Sequence, residues 1–298
     1  GAVESVACVP EGEEDALYMV VRRTIGGATK RYVERMASRR VTSSDDAFFV
    51  DCGLTYDGRN TGFFALTLSG GTTWQYPEVV TMKASGFAPF TVGSVGRFYR
   101  LALLDGSRIR VKVTAYTSST VVSVELQEAC PAELQGVPTI FWGLMATTIS
   151  GLDHLEGKTV AILADGDVHP QRVVTSGSIT LQTPAAVAHI GLPYTAEMET
   201  LDLDNPQGET ILDKRKVITS VTAYLEDSRN FFAGSDADHL YEQKAAKRAR
   251  YTDSQATVTG PSQLSISTTW SEKGRVYIQQ ADPLPLTVLA LIPEVSIA

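Results

Sequence analysis

The chain has 298 residues, 43% of them hydrophobic and 20% charged, with a formal net charge of -8. That length supports one large domain or several small ones, each with a core to bury. The acidic balance argues against a general nucleic-acid-binding surface, which needs clustered Lys and Arg to neutralise phosphate, but it suits an acidic wall past which nucleic acid slides without adhering. Cys8, Cys52 and Cys130 are far apart and form no Cys-x-x-Cys pair, so neither a zinc site nor a disulfide-built fold is expected, and the three read as reduced, mostly buried thiols. No window approaches 18 consecutive apolar residues, and the start lacks a basic region followed by an apolar run, so no membrane span or leader is expected. The chain begins without Met and in mid-pattern, as a fragment or a mature product would.

Strand and hairpin patterns dominate. "ALYMVVRRT" (16–24) and "TKRYVERM" (29–36) are β-rich runs joined through Ile25-Gly26-Gly27-Ala28, where Gly-Gly supplies the positive φ values of a two-residue hairpin turn. "AFFVDCGLTYDG" (47–58) is a further extended run, ended by the turn pair Asp57-Gly58. After Gly- and Thr-rich text over 59–86, "RFYRLAL" and "RIRVKVTAY" flank Asp105-Gly106, and "TVVSVEL" follows. Three short strands with tight turns predict a small β-barrel or half-sandwich.

The stretch "GLDHLEGKTVAILADGDVHP" (151–170) holds Asp153, His154, Glu156, Asp165, Asp167 and His169, including two of the four histidines. It invites a metal or acid–base reading. "KTVAIL" (158–163), however, is a strand bounded by Glu156-Gly157 and Asp165-Gly166. Residues nine apart on an extended chain are separated by about 30 Å at about 3.3 Å per residue, while ligands sit about 2–2.5 Å from an ion. The two halves therefore cannot share an ion, and they are expected to be turn residues at opposite ends of one strand. "QRVVTSGSITLQTP" (171–184) reads as a hairpin through Ser176-Gly177.

"AAVAHIGLPY" (185–194) reads as a mostly buried strand with His189 satisfied inside it. "DLDNPQGETILD" (202–213) has Gln207 where a calcium loop starting at Asp202 needs Gly and Asp213 where it needs Glu, so an exposed connection is expected. Residues 235–255 break the β pattern. Ser235 is a plausible N-cap, Asp236 and Asp238 follow, and the basic cluster Lys244, Lys247, Arg248 and Arg250 comes late, an order that suits a short helix or an ordered excursion. That cluster offers the one reasonable phosphate contact, against the plainer reading of a solvated face. The last 25 residues form a strand, a Pro-bounded turn and an apolar final strand, to be buried in a sheet or against another subunit. No nucleophile elbow, phosphate loop, dinucleotide fingerprint or zinc pattern is present.

Five blocks in order, "EGEEDALYMVVRRTIGGATKRYVERM", "DDAFFVDCGLTYDG", "TTISGLDHLEGKTVAILADGDVHP", "HIGLPYTAEMETL" and "DPLPLTVLALIPEV", resemble the C-terminal half of tail proteins of tailed bacteriophages and prophages. These are the tube, nozzle or hub proteins related to packaged-DNA stabilisation proteins. The resemblance covers roughly two-thirds of the chain. It implies a β-propeller whose last blade leads to a β-rich tip, assembled as a ring, commonly a hexamer. The blocks are interrupted between "GLTYDG" and "SGLDHLEGKTV", so 59–138 reads as an inserted module. Its "FTVGSVG" opening resembles the small barrel named for the first catalytic-cysteine half-domain of ubiquitin-activating enzymes, although Cys130 lies in no catalytic context.

The expected fold is all-β, built from several small modules with at most one short helix. Residues 1–45 form the end of a propeller-like unit. Residues 46–58 with 139–225 form a barrel or sandwich, 59–138 an inserted small barrel, and 226–298 a C-terminal segment with a short helix or loop and closing strands. The resemblance implies a structural part of a tail, without catalysis, cofactor or metal. Its partners would be further copies in a ring, other tail or portal-adaptor proteins, and DNA in passing. Its place would be the virion, after assembly in the bacterial cytoplasm. The competing class is a host-surface or carbohydrate-binding module using Trp74, Tyr76, Phe98 and Tyr99 as a stacking platform. A glycosidase with paired carboxylates is the enzymatic alternative, and nothing in the sequence places such a pair.

Overall fold

The computed structural model describes residues 1–298 except 13, 40, 42, 206, 207, 244–250, 252–256 and 268. The protein is all-β. The described residues form twenty-one strands and four three-residue 3-10 turns, and none of their helices is long and apolar enough to cross a membrane. Two compact units are formed, one from Gly1–Asp46, Cys52–Leu192 and Arg248–Gln255, the other from Ala47–Asp51, Pro193–Lys247 and Ala256–Ala298. The boundary falls after Leu192 rather than near 225, because the strands beyond it pair only with C-terminal ones.

In the first unit, β1 (Ala2–Glu11), β2 (Glu14–Ile25) and β3 (Ala28–Arg35) make an antiparallel meander, turned between β2 and β3 at Gly26 and Gly27, both with positive φ. Next come β4 (Asp51–Asp57), β5 (Ala65–Ser69), β6 (Val79–Ser85), β7 (Phe98–Ala102), β8 (Arg108–Ser118) and β9 (Val121–Leu126). They are followed by β10 (Trp142–Ser150), β11 (Thr159–Ala164), β12 (Asp167–Val173), β13 (Ser178–Ala185) and β14 (Val187–Leu192). The sheet containing the inserted residues runs β13-β10-β7-β8-β9-β6-β5. Residues 135–141 close it into a barrel, since Leu66 exchanges backbone hydrogen bonds with Thr139 and the Ala102 amide donates to Phe141.

The strands within 59–138 thus share one sheet with β10 and β13. β10 pairs with β7 through Trp142–Met145 and with β13 from Ala146 onward. Alternating apolar residues of β5–β9, among them Leu66, Met82, Leu101, Ile109, Val111 and Val124, fill the barrel core. A second core lies under β10, β11, β13 and β14, beside the sheet β12-β11-β14-β4. Asp57-Gly58 does end β4, but not as a turn. Gly58 is held between Ala186 and Leu144 by backbone hydrogen bonds, and a Cβ there would sit 2.0 Å from the Leu144 oxygen. Glycine is required for close approach.

The second unit contains β15 (Ala196–Glu199), β16 (Lys216–Ser228), β17 (Phe231–Asp236), β18 (His239–Gln243), β19 (Val258–Ser265), β20 (Tyr277–Gln280) and β21 (Val288–Ile297). They form sheets β15-β20-β17-β18 and β19-β16-β21 over a core of Ile218, Val221, Ala223, Leu225, Phe231 and Ile278. Where a short helix or an ordered excursion was expected from Ser235, the described residues as far as Gln243 belong to a hairpin of β17 and β18. Asp236 Oδ1 accepts from the Asp238 and His239 amides and closes the turn, while Phe231 and Ala233 alternate into the core; sheet burial overrides the capping pattern. The basic cluster Lys244, Lys247, Arg248 and Arg250 lies outside the described residues. The apolar final strand β21 is paired on one side with β16 and leaves Leu289, Ile292 and Ile297 exposed.

Every proline found in a strand sits on an outermost one: Pro10 in β1, Pro170 in β12, Pro184 in β13, Pro261 in β19 and Pro293 in β21. Proline has no N–H to offer an incoming strand, so these positions blunt edge-to-edge addition. Replacing Pro261 and Pro293 together by Val is expected to leave the circular-dichroism spectrum unchanged and to produce concentration-dependent association in light scattering. Unchanged scattering would show that the prolines do not guard these edges.

Candidate functional site

The outer face of the barrel is cationic where β7 and β8 meet. Arg100 and Arg110 are register partners, and Arg108 lies two residues along β8 on the same face, while Tyr99, Leu101, Ile109 and Val111 point into the core. Like charges side by side on a sheet repel, and burying them unpaired is prohibitive. Three carboxylates answer the three guanidiniums. Arg100 Nη1 donates to Asp45 Oδ2 at 2.6 Å and to Asp165 Oδ1 at 2.9 Å. Arg108 donates to Asp45 Oδ1 at 3.1 Å and to the Asp165 backbone oxygen at 2.9 Å. Arg110 Nε donates to Glu128 Oε1 at 2.6 Å.

Asp165 is the centre of this network, with a side chain only 3% exposed. It occupies the first position of the two-residue turn between β11 and β12, with φ +49° followed by +74° at Gly166, a left-handed pair that matches the twist of a hairpin and that Asp tolerates. The turn sends the carboxylate inward. Its Oδ1 also accepts from the Ala186 and Val187 amides, each at 2.9 Å, and its Oδ2 accepts from the Tyr251 hydroxyl at 2.6 Å. The Tyr251 ring lies 4.8 Å from the Arg108 guanidinium carbon and 4.2 Å from that of Arg110, within cation–π range. Burial, and then the Asp165 charge, push the Tyr251 phenol well above its ordinary value, so it stays protonated and donates. Beside the ring lies a cavity of about 360 Å³ lined by residues that include Arg110, Asp165, Asp167, His169, Gln182 and Tyr251.

Glu156, His154 and His169 are spent on local structure. Glu156 accepts from the Ser176 and Gly177 amides at 3.0 and 2.7 Å, steadying the next hairpin turn from the far end of β11. His154 Nε2 donates to the Cys52 carbonyl at 3.0 Å. His169 Nε2 accepts from the Gln182 amide at 2.8 Å, so its Nδ1 carries the proton that goes to the Pro170 carbonyl. His189 is buried; its Nε2 donates to the Asp45 carbonyl and its Nδ1 accepts from Thr55, each at 2.8 Å. Among the described residues no group of three or more His, Cys, Asp or Glu is placed to hold a metal ion. In the 202–213 connection, Asp204 accepts from the Asn205 and Ile211 amides and the Thr210 hydroxyl, a loop nucleus of its own.

The four aromatic residues read as a stacking platform are not brought together. Tyr99 is 4% exposed in the barrel core, edge-on to Phe90. Phe98, its neighbour on β7, projects to the other face beneath Lys112. Trp74 packs against the barrel core, and Tyr76 alone is freely exposed. Consecutive strand residues point to opposite faces, so Phe98 and Tyr99 cannot share one surface. A different pile exists: Phe64 stacks on Phe87 at 4.8 Å, and Phe87 on Trp142 at 5.4 Å. Phe64 is 42% and Phe63 94% exposed. The nearest sequence signal for the ion network is an Arg recurring within the apolar strand runs at 100, 108 and 110, because such a side chain must find a carboxylate. No motif matches it to Asp45, Asp165 or Tyr251.

A scan against protein-family models gives no match, and a search of curated proteins gives none either.

The titratable groups fix a pH dependence. Burial lowers the His169 and His189 values below the ordinary 6.5, so the unfolded chain takes up protons first; their contribution is complete above about pH 6.5 and shrinks as pH falls through the depressed values. For Asp45, burial acts to raise the value, but the Arg100 and Arg108 charges outweigh it, and the net position is below 3.8; its contribution is lost only below that. Denaturant titrations from pH 8 to pH 3 are expected to show a first loss beginning near neutrality and a second below pH 4. The double replacement of His169 and His189 by Gln should flatten the first, and a flat profile between pH 8 and pH 5 would contradict the assignment.

Proposed function

We propose that the protein is a structural component of a bacteriophage or prophage tail, a subunit of a tube, nozzle or hub ring along the DNA exit path, without catalysis of its own. The observation that carries this reading is the ordered resemblance of five sequence blocks to such tail proteins. The all-β architecture agrees with it. So does the chemistry of the described ionisable clusters, whose carboxylates and histidines are engaged by backbone amides, carbonyls and guanidiniums rather than converging on a vacant point. The net charge of -8 suits a lumen that DNA passes without adhering. Proline-blunted edges mean that neighbouring copies would meet through side-chain faces, such as the exposed Val3, Val6 and Val9 of β1 or Leu289 and Ile292 of β21, rather than by joining sheets. In this reading the protein reaches the virion after assembly in the bacterial cytoplasm, beside other tail or portal-adaptor proteins. Analytical ultracentrifugation and electron microscopy of the protein mixed with its tail partners are expected to show closed rings. Monomers under all conditions would overturn the proposal.

A second reading, glycan or host-surface binding, is favoured by the Phe64–Phe87–Trp142 pile and the exposed Phe63 beside it, since stacked rings with an open face suit a sugar. A glycan array probed with the chain and with its Phe63→Ala, Phe64→Ala variant separates the two readings: a signal lost in the variant supports glycan binding, and silence from both removes it.

A further inference from the structure

Asp–Gly pairs stand at 57–58, 105–106 and 165–166. Such a pair is chemically labile, because a glycine amide, with no Cβ beside it, is free to attack the carboxyl of the preceding residue. The three pairs meet different surroundings. Gly58 lies between strands, its amide donating to Ala186 and its carbonyl accepting from Leu144, each at 2.8 Å, while Arg59 grips both oxygens of Asp57. The Asp165 carboxylate is buried among two amides, a guanidinium and a phenol. Asp105 is exposed, in the turn between β7 and β8. Its Oδ1 accepts from the Ser107 amide at 2.8 Å and its Oδ2 from the Ser107 hydroxyl at 3.0 Å, which holds the carboxyl against the backbone that follows it. We propose that Asp105–Gly106 is a modification site, at which the chain rearranges to isoaspartate, and that the change reaches the buried ion network through β8.

The rearrangement needs no co-reactant but water. The Gly106 nitrogen bonds to Asp105 Cγ, and one carboxyl oxygen leaves as water with the amide proton and the carboxyl proton, closing a succinimide ring. Water then adds back. Opening at Cγ restores Asp105, and opening at the main-chain carbonyl leaves Gly106 joined through Cγ, so the backbone gains the Asp105 methylene with no change in composition. The Ser107 donors polarise Cγ toward attack. Before attacking, the Gly106 amide must leave the Leu103 carbonyl, 3.1 Å away in the same exposed turn. For Gly58 the equivalent step pulls a strand from between two others, and for Asp165 it strips a carboxylate of four donors. The consequence follows from position. Arg108 is the first residue of β8 and pairs with Ala102 across the turn. A lengthened turn displaces it from Asp45 Oδ1 and from the Asp165 carbonyl, to which it donates.

The full chain, aged in neutral buffer and digested with trypsin, yields the three pairs in separate peptides, with Asp105 in 101–108. Isoaspartate is read by methyl transfer from an isoaspartyl methyltransferase and by electron-transfer fragmentation. In the native chain it is expected to accumulate severalfold faster at Asp105 than at Asp57 or Asp165, and in denaturant the three rates should converge. Equal native rates, or a faster rate at either other pair, would overturn the site. A preference for Asp105 that persists in denaturant would contradict the part given to the fold. The second half of the proposal has its own readout. The thermal midpoint of aged wild-type protein should fall in step with its isoaspartyl fraction, while Asp105→Ser, aged alike, keeps the midpoint it began with. An unchanged midpoint in modified wild-type protein would overturn the passage of the change through β8.

Discussion

A single buried carboxylate constrains the first unit more than any other group. The Asp165 carboxyl answers Arg100 and is held in place to do so. Two backbone amides, a guanidinium and a phenol hold it. Ion pairs of this kind are a poor source of net stability, because desolvation offsets most of the attraction. Their effect is on specificity: a misplaced barrel would take Arg100 and Arg108 from Asp45 and Asp165, while Arg110 keeps Glu128. The hairpin turn of the carrier and the outer face of the inserted barrel therefore have one low-energy arrangement, and the shared strand β10 reinforces it from the other side.

His169 has both ring nitrogens engaged by the Gln182 amide and the Pro170 carbonyl, His189 by Thr55 and the Asp45 carbonyl, and His154 donates to the Cys52 carbonyl. The acidic groups at the two ends of β11 serve two separate turns. Prolines on the outer strands β1, β12, β13, β19 and β21 deny an incoming strand a donor at those edges, whereas β3, β4, β5, β15 and β18 carry none.

Much of the fold was legible from local rules. The Gly26-Gly27, Asp105-Gly106, Asp165-Gly166 and Ser176-Gly177 pairs connect the strands expected of them, since turn chemistry and strand alternation are both written over a few residues. The separation of Glu156 from Asp165 was likewise a matter of counting along an extended backbone. What sequence could not reveal was long-range pairing. Asp165 was legible as a turn residue but not as a buried anion, because Asp45, Arg100 and Tyr251 come from remote positions with no fixed spacing. Tyr99 looked like a surface aromatic because the face of β7 turned to the core is set by its partner strands. The helical pattern after Ser235 failed for a related reason: capping signals are worth about 1 kcal/mol, less than the burial of Phe231 in a sheet.

The claim that the Asp165–Arg100 pair locks barrel to carrier is tested most directly by a double-mutant cycle in denaturant, with Arg100→Met and Asp165→Asn. Each single replacement takes one partner from a buried group, leaving Arg100 with Asp45, or Asp165 with the Ala186 and Val187 amides and Tyr251, and is predicted to cost about 3 kcal/mol, while the double replacement costs far less than the sum, giving a coupling of about 2 kcal/mol or more. Additive losses, with a coupling near zero, would mean that the two side chains are neighbours without being partners.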